Sequence, residues 1–146
     1  MRFAISIALL LTLAGCGGYQ GSSSPYMPPN PPGVQPAATV LPTANLNGSP
    51  GFTTPSGLTV YTFDADTQTD VSACATISGC TGIWPPVAPP AGTLPSPWTS
   101  FSRPDGKMQL SYKGKPLYTY AGDNAPGQTN GDNLNQFGAL WHIARP

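Results

Sequence analysis

The sequence predicts a small all-β domain of two tandem, hairpin-based repeats, antiparallel and sandwich-like or barrel-like, preceded by a disordered proline-rich tether. Three observations predict it. The first is an internal repeat: Tyr61-Thr62-Phe63, Asp66 and Trp84 return as Tyr118-Thr119-Tyr120, Asp123 and Trp141, every pair 57 positions apart. Gly57 with Gly114, Val60 with Leu117, Ser72 with Thr129 and Ile83 with Leu140 match conservatively at the same offset. The second is strand chemistry around glycine turns in both copies, with only weak helical periodicity. The third is a stretch from Gly17 to about Pro50 made of Pro, Gly, Ser, Asn and Ala, which buries too little apolar surface to offset its ordering entropy.

From the N-terminus, Arg2 is followed by the apolar run Phe3 to Leu13 and by Ala14-Gly15-Cys16, the pattern of a secretory signal peptide over residues 1–15. The run is too short to span a bilayer as a helix. Leu13-Ala14-Gly15-Cys16 resembles the bacterial lipoprotein lipobox, which implies a lipidated Cys16 as mature N-terminus. With Gly17 next rather than aspartate, the resemblance implies outer-membrane sorting, facing the periplasm. Residues 16–50 form the expected tether, whose Pro28-Pro29-Asn30-Pro31-Pro32 favours extended polyproline conformations.

The two-repeat domain is expected at 51–146, with repeat 1 over about 51–86 and repeat 2 over about 107–146. Phe52-Thr53-Thr54, Pro55-Ser56-Gly57 and Leu58 to Phe63 read as strand, turn and strand; so do Met108 to Tyr112, Lys113-Gly114-Lys115 and Pro116 to Tyr120. A polar loop follows each hairpin and leads to a tryptophan. Trp84-Pro85-Pro86 stops the first such segment, because proline cannot donate to a ladder, whereas Leu140 to Ala144 can continue as a strand. With Cys16 lipidated, Cys74 and Cys80 remain as a pair in an exported chain, which favours a disulfide over a metal site. Closing so short a loop contributes about 2 to 2.5 kcal/mol in the chain-entropy model.

The pattern Tyr-x-aromatic-x-x-Asp, seen as Tyr61/Phe63/Asp66 and again as Tyr118/Tyr120/Asp123, resembles the paired "secreted repeat" of bacterial lipoproteins of unknown function. Cys74, Cys80, Trp84-Pro85-Pro86, Arg103-Pro104-Asp105-Gly106 and Lys115-Pro116-Leu117-Tyr118 belong to the same resemblance. It covers the chain from Gly57 to Trp141 and implies no established reaction.

Candidate chemistry is sparse. Asp64, Asp66 and Asp70 in the first loop, and Asp123, Asn124, Asn130, Asp132 and Asn133 in the second, offer oxygen ligands of the kind calcium prefers. Yet neither loop follows an EF-hand, and the chain contains no glutamate. Asp66 and Asp123 are read instead as Asx-turns, each accepting the backbone N–H groups of the turn that starts its loop. His142 is the only histidine, with nothing to complete a zinc or copper sphere or a serine triad. The cysteine pair lacks the C-x-x-C spacing and a neighbouring cation that redox activity would use. No catalytic residue, metal site or cofactor is therefore expected, and the scattered lysines and arginines disfavour nucleic acid. The expectation is an envelope lipoprotein held at the membrane by its anchor, with a non-catalytic binding or structural role toward an envelope protein or glycan. The alternative is a periplasmic redox, electron-transfer or metal-binding accessory.

Overall fold

The computed structural model describes residues 39–146. The expected signal peptide, the anchor Cys16 and most of the expected tether lie outside the described residues. Eight short strands run β1 (Thr43–Leu46), β2 (Ser49–Phe52), β3 (Tyr61–Phe63), β4 (Trp98–Ser102), β5 (Met108–Tyr112), β6 (Lys115–Pro116), β7 (Asn135–Gln136) and β8 (Ala139–Ile143). The only helical pieces among the described residues are a 3₁₀ turn, Ala73–Ala75, and the one-turn helix α1, Cys80–Ile83. The strands make three antiparallel sheets, β1-β2, β3-β8-β7 and β4-β5-β6. The all-β expectation holds, and among the described residues no sheet closes into a barrel.

Folding begins before residue 51, which corrects the expected tether boundary. Asn47 and Gly48 both have positive φ, 53° and 81°, so the Asn-Gly pair makes the tight primed turn that matches strand twist and joins β1 to β2. Leu41, Leu46 and Phe52 are buried beneath that hairpin. Lys113 and Gly114 repeat the device between β5 and β6, with φ of 51° and 75°. The counterpart of β1-β2 at the 57-residue offset is the β4-β5 hairpin, so each copy opens with its own hairpin and the second starts at Trp98 rather than near residue 107.

The two copies exchange strands. In the first copy β3 pairs with β8 of the second, Tyr61 opposite Ile143 and Phe63 opposite Trp141. The corresponding segment of the second copy pairs with the tryptophan segment of the first: Tyr118 bridges Pro86, and the Thr119 amide donates to the Pro85 carbonyl at 2.8 Å. Pro85 and Pro86 have no N–H to give, so this segment makes isolated bridges where β8 makes a strand. At the centre Tyr61 and Tyr118 face each other and exchange main-chain hydrogen bonds of 2.8 and 3.0 Å. An approximate two-fold axis runs through that pair.

Side chains alternate across these central segments and fill two cores. Tyr61, Phe63, Tyr118, Trp84 and Trp141 join Leu46, Cys74, Cys80 and Ile143 in one; Val60, Leu117, Val87 and Ala144 join Leu41, Phe52 and Leu110 in the other. Both cores therefore draw on both repeats.

Candidate functional site

The eight residues of the repeated motif converge at the two-fold axis. Trp84 and Trp141 stack face to face, 3.7 Å between centroids with 4° between planes. Phe63 stacks on the outer face of Trp141 at 4.0 Å, and Tyr120 covers the outer face of Trp84 at 4.4 Å. Four rings thus form one ladder, Phe63, Trp141, Trp84 and Tyr120. Tyr61 and Tyr118 meet its sides edge-on, against Trp84 at 5.4 Å and Trp141 at 5.1 Å. Edge contacts direct the positive ring rim at a negative π face and add about 0.5–1.5 kcal/mol each beyond area burial.

The polar half of the motif is also exchanged between copies. The Tyr61 hydroxyl donates to Asp123 Oδ2 at 2.6 Å, and the Tyr118 hydroxyl to Asp66 Oδ2 at 2.8 Å. The second oxygen of each carboxylate closes its own loop: Asp66 Oδ1 accepts from the Ala73 amide at 2.7 Å and Asp123 Oδ1 from the Asn130 amide at 2.9 Å. These donors lie seven residues after the aspartate, so each carboxylate ties a whole loop rather than the next turn. The spacing Tyr-x-aromatic-x-x-Asp follows directly. Tyrosine and the aromatic two residues on point to the same side of the segment, and the aspartate ends the turn that leaves it, its amide bonded to Phe63 or Tyr120 carbonyl at 3.0 and 3.1 Å.

Burial raises the Asp66 carboxyl to about 6, opposed by the hydrogen bonds from Ala73 and Tyr118 and the charge of Lys115. Burial also drives both phenols far above their usual range, reinforced at Tyr61 by the hydrogen bond and charge of Asp123, and at Tyr118 chiefly by the charge of Asp66. Neither tyrosine ionises at physiological pH. Both remain donors to a carboxylate in a water-poor setting, where such charge-assisted bonds are about twice as strong as neutral ones.

The other predicted residues lie apart from one another. Cys74 and Cys80 form a disulfide within the first loop. Asp64 pairs with His142 across the β3-β8 edge, Nε2 to Oδ2 3.2 Å, both partly exposed. Asp70 Oδ1 accepts from the Thr99 and Ser111 hydroxyls, and Asp132 serves the Ile143 amide and the Asn47 side chain. The carboxylates of each loop diverge, and among the described residues no three His, Cys, Asp or Glu side chains come together as a metal site would require. Two participants escaped the sequence reading. Gln136 accepts from both indoles, Trp84 Nε1 to its side-chain oxygen at 2.9 Å and Trp141 Nε1 to its carbonyl at 3.2 Å. Arg103 is 4% exposed, although arginine is rarely buried without full pairing; nothing in a lone Arg-Pro-Asp-Gly turn announces that.

Residues 50–88 and 99–145 each match the family described as a secreted repeat of unknown function. The chain belongs to this family. One match falls on each of the two strand-exchanging copies, the first beginning after β1. Membership accords with export from the cytoplasm, and no helix of the described residues is long and apolar enough to cross a membrane. No curated protein and no solved structure matches the chain.

Proposed function

We propose that this secreted-repeat protein is a lipid-anchored module of the bacterial envelope, attached through Cys16 to the outer membrane and facing the periplasm, with a non-catalytic binding or structural role. The observation that carries the reading is the fate of the repeated polar groups. Tyr61, Asp66, Tyr118 and Asp123 are buried and spend their hydrogen bonds on one another and on loop amides, so the motif serves architecture and leaves the surface for recognition. Lipobox residues Leu13 to Cys16 supply the anchoring half. Membrane fractionation of the wild type and Cys16→Ser tests that half: the wild type is expected in membranes and the variant in the soluble or unprocessed pool. Wild-type protein carrying an unmodified Cys16 in membranes would sink it.

A second reading, an electron-transfer or metal-binding accessory, draws on the four-ring ladder. Stoichiometric metal in the purified full-length protein, or reversible one-electron oxidation at a mild potential, would favour it.

A further inference from the structure

We propose that the cleft between the Arg103–Gly106 turn and the first loop binds a carboxylate group, received by the buried guanidinium of Arg103. This deepens the binding reading above by naming a ligand class and a place. The cleft measures about 370 Å³ and its lining includes Asp70, Val71, Thr76, Phe101, Ser102 and Arg103. That is at the small end of the range for ligand sites.

The two-fold axis makes the cleft conspicuous. In the other half of the molecule the β1-β2 turn is fastened to the opposite loop: Asn47 donates to Asp132 at 3.1 Å and accepts from Thr129 at 3.1 Å. The sequence offset places Leu46 at the position of Arg103, Asn47 at Pro104 and Asp132 at Ala75. The Thr129 hydroxyl keeps a counterpart in Ser72, but the Asn47 and Asp132 side chains that it is fastened with are not reproduced on the second side. A buried leucine closes one half, while a buried arginine lies beside an open cleft in the other.

Arg103 is incompletely partnered. Its Nη2 pairs with Asp105 Oδ2 at 3.0 Å, whereas Nε and Nη1 are buried without an acceptor among the described residues. A buried donor left unmet costs about 1–3 kcal/mol, and more on a charged group. A planar guanidinium fork, Nη2 with either Nε or Nη1, matches a carboxylate's two oxygens, so a ligand carboxylate that displaces Asp105 from Nη2 would also engage one of the donors that Asp105 leaves open. Entry would require the exposed Asp105 carboxylate to leave Nη2. Asp70 in the cleft wall disfavours a multiply charged phosphate and leaves a singly charged carboxylate as the better fit. The exposed Thr76 and Ser102 hydroxyls suit a hydroxylated body, as in a uronic acid.

Glucuronate is the probe, with glucose and sodium chloride at matched ionic strength as controls, read as thermal shift and NMR perturbation on the full-length protein. Glucuronate is expected to raise the melting temperature with concentration and to perturb Thr76 and Phe101 amides, while both controls leave them unmoved. Arg103→Leu copies the residue that the other half already tolerates, so it should fold, judged by near-UV circular dichroism. It should weaken binding at least about tenfold, the loss expected for a charge-assisted pair. Arg103→Lys keeps the charge without the fork and should also bind more weakly. No response in the wild type, an equal response to chloride, or full binding by Arg103→Leu would overturn the assignment. Anchoring is read separately by fractionation, so that failure would leave the envelope reading standing.

Discussion

Beyond the shared bond from each aspartate to the amide seven residues on, the two copies brace the same loop by different means. In the first, residues between Asp66 and Trp84 are held by Cys74–Cys80, a 3₁₀ turn capped by the Ser72 hydroxyl, and α1. In the second, the offset puts Gly131 and Phe137 where the cysteines stand. The Gln128 side-chain oxygen accepts from the Asn124 and Ala125 amides, and Phe137 packs against the aromatic core. A side chain is excluded at Gly131, where a Cβ would fall 2.7 Å from Trp84 and 3.0 Å from Tyr61. The exchanged Tyr–Asp pairs, their bonds to the loop amides and the indole stack are common to both halves, whereas the remaining braces are not. The ladder and its hydrogen bonds thus set the fold, and those braces are a replaceable layer around them.

Removing a shared element should be costliest. Trp84→Ala and Trp141→Ala each delete one central ring of the ladder and are expected to lose about 3–5 kcal/mol, a large part of the 5–15 kcal/mol typical of a whole domain. Denaturant titration should find the two within about 1 kcal/mol of each other, since each indole touches three aromatic rings. A cheap loss at one and collapse at the other would break the two-fold account.

Next come the carboxylates. Asp66→Ala and Asp123→Ala each orphan a phenol and a loop amide, for about 2–3 kcal/mol apiece. Here the halves should differ. Tyr118 can turn to Ser72 Oγ at 2.8 Å, whereas Tyr61 has only the Gly131 amide at 3.3 Å, itself a donor. Asp123→Ala is expected to cost roughly 1 kcal/mol more, and the reverse order in urea would show that the polar lock is not what distinguishes the copies. The pH profile sharpens the same contrast. Because the folded state holds the Asp66 proton up to about 6 against an ordinary 3.8, the contribution of this group to stability is greatest below that ordinary value and declines as pH rises toward 6. Melting curves between pH 4 and 7 should lose that slope in Asp66→Asn, and an unchanged slope would place the titration elsewhere.

The smallest effect should come from the replaceable layer. Cys74→Ser with Cys80→Ser is expected to cost about 2 kcal/mol through loop entropy, with faster amide exchange confined to the first loop. Spread of that exchange to Asn130 and Gly131 would mean that the bridge braces both copies.

Much of this was legible in the chain. The 57-residue offset revealed the repeat, β-branched and aromatic alternation around Gly57 and Gly114 revealed the hairpins, and an even pair in an exported protein revealed the disulfide. The β1-β2 hairpin was not, because Pro42, Pro50 and the polar Asn45 and Asn47 mask a short segment whose Asn-Gly turn is the informative part. Nor was the strand exchange. Tyr61 bonds to Asp123 rather than to Asp66, and two equal copies offer no local sequence signal to choose between those partners. The aspartates were read as Asx-turn caps; they do accept backbone amides, but from seven residues on, and a phenol supplied from the other copy has no signature at either position.

Strand exchange also decides what can be cut and what can be copied. One copy alone would present half a ladder, an indole without its stacking partner, a phenol without its carboxylate and an open edge at Tyr61. Two separate copies would meet those needs in each other, as a symmetric pair of short chains. The chain from residue 88 to 97, between the copies, then raises the local concentration of one half near the other and adds Leu94 to the second core, and the smallest piece of this protein that stands by itself is a couple rather than a repeat.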